Sequence, residues 1–199
     1  MLSSVASKRM PSSVLWTIVP SGVSTLSVLG DVKVVYGAEK AMYDPKTKTY
    51  TPYQTCFQTH HLNFGYDKDN TVWGSGGGQV LGWLNTRVLL QTGDVKKAQG
   101  WTPLILDTNG NGKRDAYTDL GQPDDPSKDK RVMTGFYGVQ TSPADNSVWG
   151  QSMDVGFSRV DQPGFLIRLT PGSDPSNTAL AEIYQPPEGY YGLRGLDID

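Results

Sequence analysis

The chain has 199 residues and a formal charge of −2, from 18 Lys+Arg against 20 Asp+Glu. Near-neutral charge removes the long-range attraction that nucleic acid or an anionic membrane surface needs, and a single cysteine, Cys56, allows neither an internal disulfide nor a cysteine-rich zinc site. No stretch supplies the ~20 mostly apolar residues of a membrane span, because the best, residues 15–29, is cut by Pro20, Gly22 and several hydroxyl residues.

Residues 1–13 are small, polar and basic and read as a flexible N-terminal segment. Lys8 and Arg9 ahead of the apolar run 14–19 have the order of a secretory leader. The run is short, Pro20 ends it and no small-x-small cleavage site follows, so residues 15–19 read as a strand. Strand-like runs rich in β-branched and aromatic residues follow at 32–36, 40–43, 49–53, 62–64, 71–73, 80–84, 104–106, 147–149, 165–169 and 179–184. Gly, Pro, Asn and Asp punctuate them. Residues 86–99 alone could sustain a turn or two of helix, and Gly93 interrupts them. Many short strands predict an all-β architecture.

A repeat is the most informative feature. Asp69-Asn70-Thr71-Val72-Trp73-Gly74 returns 76 residues later as Asp145-Asn146-Ser147-Val148-Trp149-Gly150, and Val34-Val35-Tyr36-Gly37 is a weaker echo 37 residues before Trp73. The period is ~38 residues with one interval doubled, close to a four-stranded propeller blade. Each copy has an upstream strand (62–66; 135–140), a polar turn, the Val-Trp strand, then a strand closing on a polar end (79–85; 165–170). Asp-Asn at the turn tolerates the left-handed backbone of a tight hairpin. The units predicted are 31–58, 59–100 and 133–187 within an array over 14–199, with another starting at 189 and an insertion at 101–131. One blade buries little by itself, so Trp73 and Trp149 are expected between blades. The fold class expected is all-β: a partial β-propeller of four-stranded antiparallel blades of ~38–40 residues, with further blades of the same polypeptide as candidate partners.

On those units the chain resembles the streptogramin (virginiamycin B) lyase-like β-propellers. The blade pattern is carried by Thr59-His60-His61-Leu62-Asn63-Phe64, then Asp67-Lys68-Asp69-Asn70, then Thr71-Val72-Trp73. Gly135-Phe136-Tyr137-Gly138-Val139, Ser142-Pro143, Asp145-Asn146 and Val148-Trp149 repeat it without a histidine. The resemblance spans residues 31–85 and 133–199 and implies the fold. The family's enzymes use a magnesium ion with histidine and acidic residues near the axial opening, and no such acid–histidine group can be placed in this sequence. The same blade signature also serves many propellers that are not enzymes.

The sharpest local motif is Leu106-Asp107-Thr108-Asn109-Gly110-Asn111-Gly112-Lys113-Arg114-Asp115. Oxygen-bearing side chains at Asp107, Asn109, Asn111 and Asp115, a glycine at position six and the Lys113 carbonyl match the alternation that calcium takes from a tight loop. Thr118 stands where an EF-hand carries glutamate, and the flanks are not helical. The loop instead resembles the FG-GAP type, which sits between propeller strands. The plain alternative is an Asn-Gly turn without metal. With two charged ligands the affinity expected is weak, on the order of 10⁻⁴–10⁻³ M, which is the extracellular regime and points to a periplasmic or extracellular protein. Asp119, Asp124, Asp125 and Asp129, mixed with Lys128, Lys130 and Arg131, read as a solvated loop.

His60 and His61 are the only histidines and the only catalytic candidates. On a strand, neighbours point to opposite faces, so one of them, His60 by preference, would face the axis as a general base. Both cannot hold one metal from a regular strand. Structural histidines near a turn are the plain alternative. Cys56 has no activating partner nearby in sequence, and the glycine cluster 74–78 reads as a hairpin connection. The reading preferred is a calcium-stabilised propeller module that binds a ligand or protein. The alternative is a magnesium-assisted lyase acting at the axial face.

Overall fold

The computed structural model describes residues 15–18 (backbone), 39–75, 78–152, 164–188, 193 and 195–198. The strand expected at 32–36, the echo at 34–37 and most of the unit start at 189 lie outside them. The described chain is predominantly β. Three open sheets hold nearly all of the regular structure, and no helix is long and apolar enough to cross a membrane.

The first sheet is a meander of β1 (Leu15–Ile18), β2 (Glu39–Asp44) and β3 (Thr49–Gln54). The second is a four-stranded antiparallel meander of β4 (Leu62–Phe64), β5 (Thr71–Gly74), β6 (Val80–Asn85) and β7 (Gln99–Pro103). Between its last two strands lie α1 (Thr86–Thr92) and α2 (Val95–Ala98). The Asn85 side chain accepts from the Val88 amide to start α1. Gly93, at φ +68°, ends it by donating to the Leu89 carbonyl, the left-handed cap that glycine adopts without strain. The helical stretch and its interruption were both legible in the sequence.

After β7 come β8 (Ile105–Leu106), β9 (Tyr117–Thr118) and β10 (Asp129–Arg131), then β11 (Gln140–Thr141), β12 (Val148–Gln151), β13 (Leu166–Thr170) and β14 (Leu180–Tyr184), with a turn of helix, α3 (Pro175–Thr178), before the last. Strands β11 to β14 form a second antiparallel meander. Strand β8 then adds to β14 in parallel, followed by β10 and β9, making seven strands in the order β11-β12-β13-β14-β8-β10-β9. Three features depart from the sequence reading. This sheet is seven-stranded and mixed, where separate four-stranded antiparallel blades were expected, because β8 pairs in parallel with β14 and β9 with β10. Residues 101–103 complete β7, so the boundary at 100/101 cuts a strand. Of the strand expected at 135–140 only its end is laddered, as β11, with a lone bridge from Phe136 to Ser152.

The two four-stranded meanders share a register. Trp73 pairs with Asn63 and Trp83, and Trp149 pairs with Gln140 and Arg168. The turns entering the Trp strands both place asparagine in the left-handed region, Asn70 at φ +48° and Asn146 at φ +61°, as the Asp-Asn pairs lead one to expect. The first sheet follows the same scheme one strand short. Trp16 on β1 pairs with Met42 on β2, as Trp73 pairs with Trp83. This third Val/Leu-Trp strand lies at 15–16, 57 residues before Trp73, a spacing the ~38-residue period passed over.

Two cores lie between the sheets. Val72 and Leu84, with Leu89 and Ala98, meet Met42 and Tyr53 of the first sheet. On the opposite face, Trp73 and Leu81 meet Leu104, Phe136, Val148, Ile167, Leu169 and Ala181. Trp73 is 1% exposed there. Trp149 differs from expectation: it is half-buried on the outer face of the last meander, stacked on Tyr184 at 5.3 Å, and its indole nitrogen donates to Ser147 Oγ.

Candidate functional site

Strands β8 and β10 position the calcium-type loop at the outer edge of the seven-stranded sheet. Asp107 Oδ1 accepts from the amides of Gly110 (2.7 Å) and Asn111 (3.2 Å), and Oδ2 from Gly112 (2.7 Å). Asn109 Oδ1 accepts from the Asn111 amide and Asn111 Oδ1 from the Lys113 amide. Gly110 and Gly112 are at φ +73° and +71°, which explains glycine at both positions. Asp115 closes the ring, since its Oδ2 accepts from the side-chain nitrogens of Asn111 (2.6 Å) and Asn109 (3.2 Å). These bonds, Asn111 first, hold the Asp115 carboxyl below the usual carboxylate range. Asp107 thus holds the turn through its backbone amides, and Asp115 is joined to Asn109 and Asn111 through their side-chain nitrogens.

Asp129 was placed in a solvated loop by its neighbours in sequence, and that is corrected here. It is fully buried on β10. Its Oδ1 accepts from the Thr108 amide and its Oδ2 from the Asp115 amide at 2.8 Å. It ties both ends of the loop to the sheet. No sequence signal separated it from Asp124 and Asp125, which do pair with exposed lysines.

The histidines precede β4 rather than lie in it. Strand alternation therefore does not decide which of them would face an axis. Their rings are 4.3 Å apart and both contact Tyr137, at 5.2 and 5.3 Å. The His60 amide donates to the Ser75 carbonyl and the Ser75 amide to the His61 carbonyl. Ser75 Oγ donates to the Tyr137 carbonyl at 2.7 Å, which joins the two meanders at this point. Partial burial and then His60 lower the His61 pKa. Among the described residues no group of three or more histidine, cysteine, aspartate or glutamate side chains converges to hold a metal. The cluster therefore brings a tyrosine, not carboxylates, to the histidines.

Lys40 was not singled out by sequence, although its alternation with Met42 on β2 turns it inward. It is fully buried between the first two sheets. Its Nζ donates to Thr55 Oγ1 at 3.1 Å and lies 3.8 Å above the Phe57 ring. Burial pushes its pKa down to about 7, and the same burial raises that of the Cys56 thiol. A cavity of about 320 Å³ is lined by Leu106, Asp119, Arg131, Met133 and Ile183. Arg131 there is paired with Asp119 at 2.9 Å, and Lys130 with Asp124 at 2.7 Å. Its charges neutralise one another.

No known protein family matches this chain, and no curated protein does either.

Proposed function

We propose that the chain is a calcium-stabilised, β-propeller-type module that serves as a binding or scaffold unit of an exported protein. The observation that carries the reading is the shared register of the two meanders, with their inner strands side by side. Asn63 of β4 donates to the register-equivalent Gln140 of β11, and Thr141 Oγ1 donates to the Phe64 carbonyl. Blades around an axis would stack face to face in this way, with their first strands meeting along a line. The resemblance to streptogramin-lyase-like propellers adds to it.

Calcium is supported by the donor set of the 107–115 loop and by its anchoring through Asp129. Bound there, the ion would be held by Asp107, Asn109, Asn111 and Asp115 with the Lys113 carbonyl. It would offset the repulsion of two carboxylates in one loop. A site of on the order of 10⁻⁴–10⁻³ M fills outside cells, which is the basis for an exported protein. The experiment is thermal unfolding in EDTA and in 5 millimolar calcium (roughly five or more times the upper end of that range). A rise in Tm with calcium that Asp107→Ala abolishes is expected. An identical Tm in both conditions removes calcium from the proposal.

The second reading, a magnesium-assisted lyase, draws on the convergence of His60 and His61 with Tyr137 at the start of the inner strands. One of the histidines would be the general base. Calorimetric titration with magnesium tests it, since heat of binding lost in His60→Ala supports it and no binding ends it.

A further inference from the structure

Asn109 and Asn111 are the only asparagines in the chain that are followed by glycine, and they stand two residues apart in the 107–115 loop. Such a pair is the sequence most open to loss of the side-chain amide, because glycine has no Cβ to shield its backbone nitrogen from Cγ of the asparagine. Both asparagines and both glycines are exposed. Nothing packs within 4 Å of the place where a Cβ would stand on Gly110 or Gly112, so water reaches the loop and the backbone has room to turn.

The reaction consumes only water. The Gly110 nitrogen gives its proton to solvent base and bonds to Cγ of Asn109, the Cγ–Nδ2 bond breaks, and ammonia leaves with a proton from water, closing an imide ring. Water then adds to one of the two imide carbonyls. Opening at Cγ gives aspartate. Opening at the main-chain carbonyl gives isoaspartate, whose backbone runs through the side chain and is one carbon longer. Gly112 and Asn111 form the same pair.

The folded loop restrains both partners of the attack. The two nitrogens that must attack donate to one carboxylate, Gly110 to Asp107 Oδ1 and Gly112 to Oδ2, each at 2.7 Å. The two nitrogens that must leave donate to another, Asn111 Nδ2 to Asp115 Oδ2 at 2.6 Å and Asn109 Nδ2 to the same oxygen at 3.2 Å. The opposite end of each amide is tied as well, Asn109 Oδ1 by the Asn111 amide and Asn111 Oδ1 by the Lys113 amide. Attack requires the peptide plane to turn its nitrogen out of the Asp107 bond. Departure requires a proton on the amide nitrogen, and a carboxylate that only accepts has none to give.

We propose that Asn109 and Asn111 are deamidation sites which Asp107 and Asp115 keep latent in the folded loop, and that freeing the loop from either carboxylate starts the conversion. Each conversion places a new negative charge beside Asp107 and Asp115, and isoaspartate lengthens a loop that Asp129 anchors at both ends. The loop thereby records its own opening. The restraining bonds all lie within the chain, so this inference does not rest on the calcium reading.

The test is site-resolved mass spectrometry of the purified chain stored in mildly alkaline, calcium-free buffer, with isoaspartate identified by electron-transfer fragmentation. The folded parent should convert Asn109 and Asn111 slowly, and the same chain in urea quickly. Asp107→Ala and Asp115→Ala should each convert them roughly three- to tenfold faster than the folded parent, the factor that a typical hydrogen bond supplies. Asn146, followed by Ser147, is the internal reference, and its staying intact in both variants shows that the release is local. Where Asp107→Ala converts Asn146 as well, the variant has unfolded and Asp115→Ala decides, since it removes side-chain bonds alone. Equal rates in the folded parent and in urea overturn the latency, as does a folded Asp115→Ala that converts no faster than the parent. No conversion of Asn109 and Asn111 in urea overturns the sites themselves.

Discussion

The glycine after each repeat tryptophan shows why the motif is Val-Trp-Gly. A Cβ on Gly150 would lie 2.3 Å from Phe136 Cδ2, and one on Gly74 would lie 3.0 Å from Phe57 Cε2. In the second meander Phe136 thus sits against the residue following Trp, whereas in the first Phe57 presses hardest on the paired Gly82, at 1.8 Å from a Cβ there, and Gly74 meets Thr59 Oγ1 first, at 2.8 Å. The Phe57 ring also explains Lys40, whose amine rests on it and whose charge is desolvated as a result. A lysine with its folded pKa lowered to about 7 binds fewer protons folded than unfolded between pH 7 and about 10.5. Its burial therefore costs most below pH 7, and stability rises with pH across that window by up to about 1.4 kcal/mol per unit. Urea unfolding at pH 7, 8 and 9 should show Lys40→Met more stable than the parent at pH 7, with the gap closing as pH rises. Because Lys40 and Cys56 interact, the same comparison in a Cys56→Ser background isolates Lys40. A gap that stays constant with pH would mean that Lys40 is charged in the folded chain.

At the level of elements, legibility followed locality. Strand runs such as 40–43, 62–64, 80–84 and 179–184, the helix at 86–92 and the left-handed Asp-Asn turns were readable because each is dictated by residues within a few positions. Strand β7, with glycine and proline in Gln99-Gly100-Trp101-Thr102-Pro103, has weak intrinsic preference and exists because β6 offers it a ladder. The histidine pair, expected on a strand, precedes β4 and is held instead by backbone bonds to Ser75. Asp129 is the clearest case: a charged residue among charged residues, made structural by two amides 14 and 21 positions away. Asp129→Ala leaves the Thr108 and Asp115 amides without their acceptor and removes the joint between the loop and β10. It should lower stability by about 2–3 kcal/mol and abolish any calcium-dependent rise in Tm. Asp129→Asn, which keeps one acceptor, should lose less. Denaturant unfolding with and without calcium measures both. Equal stability of Asp129→Ala and the parent would show that the loop holds itself together.

Across the whole molecule, the sheets are joined by side chains more than by backbone, so cooperativity depends on the two cores. Trp73 is the largest side chain buried between the meanders, and its indole nitrogen has no hydrogen-bond partner. Its contribution is therefore packing and desolvated ring area. Trp149 holds the same place in its own sheet, yet it is only half-buried, stacked on Tyr184 with its indole nitrogen donating to Ser147 Oγ. Identical truncations at the two sites should then have unequal costs. Trp73→Ala should cost about 3–5 kcal/mol, as deep aromatic truncations do, and Trp149→Ala, at a half-buried ring, far less. Because the Trp73 cluster includes Leu104, Phe136, Ile167 and Ala181 from the far sheet, Trp73→Ala should lower one shared transition rather than release one meander early. Far-UV and tryptophan-fluorescence melts that coincide in the parent and still coincide in the variant are the expected result. Two separated transitions in Trp73→Ala, one at the parent's temperature, would show that each meander holds its own core and that the stack is not a cooperative unit.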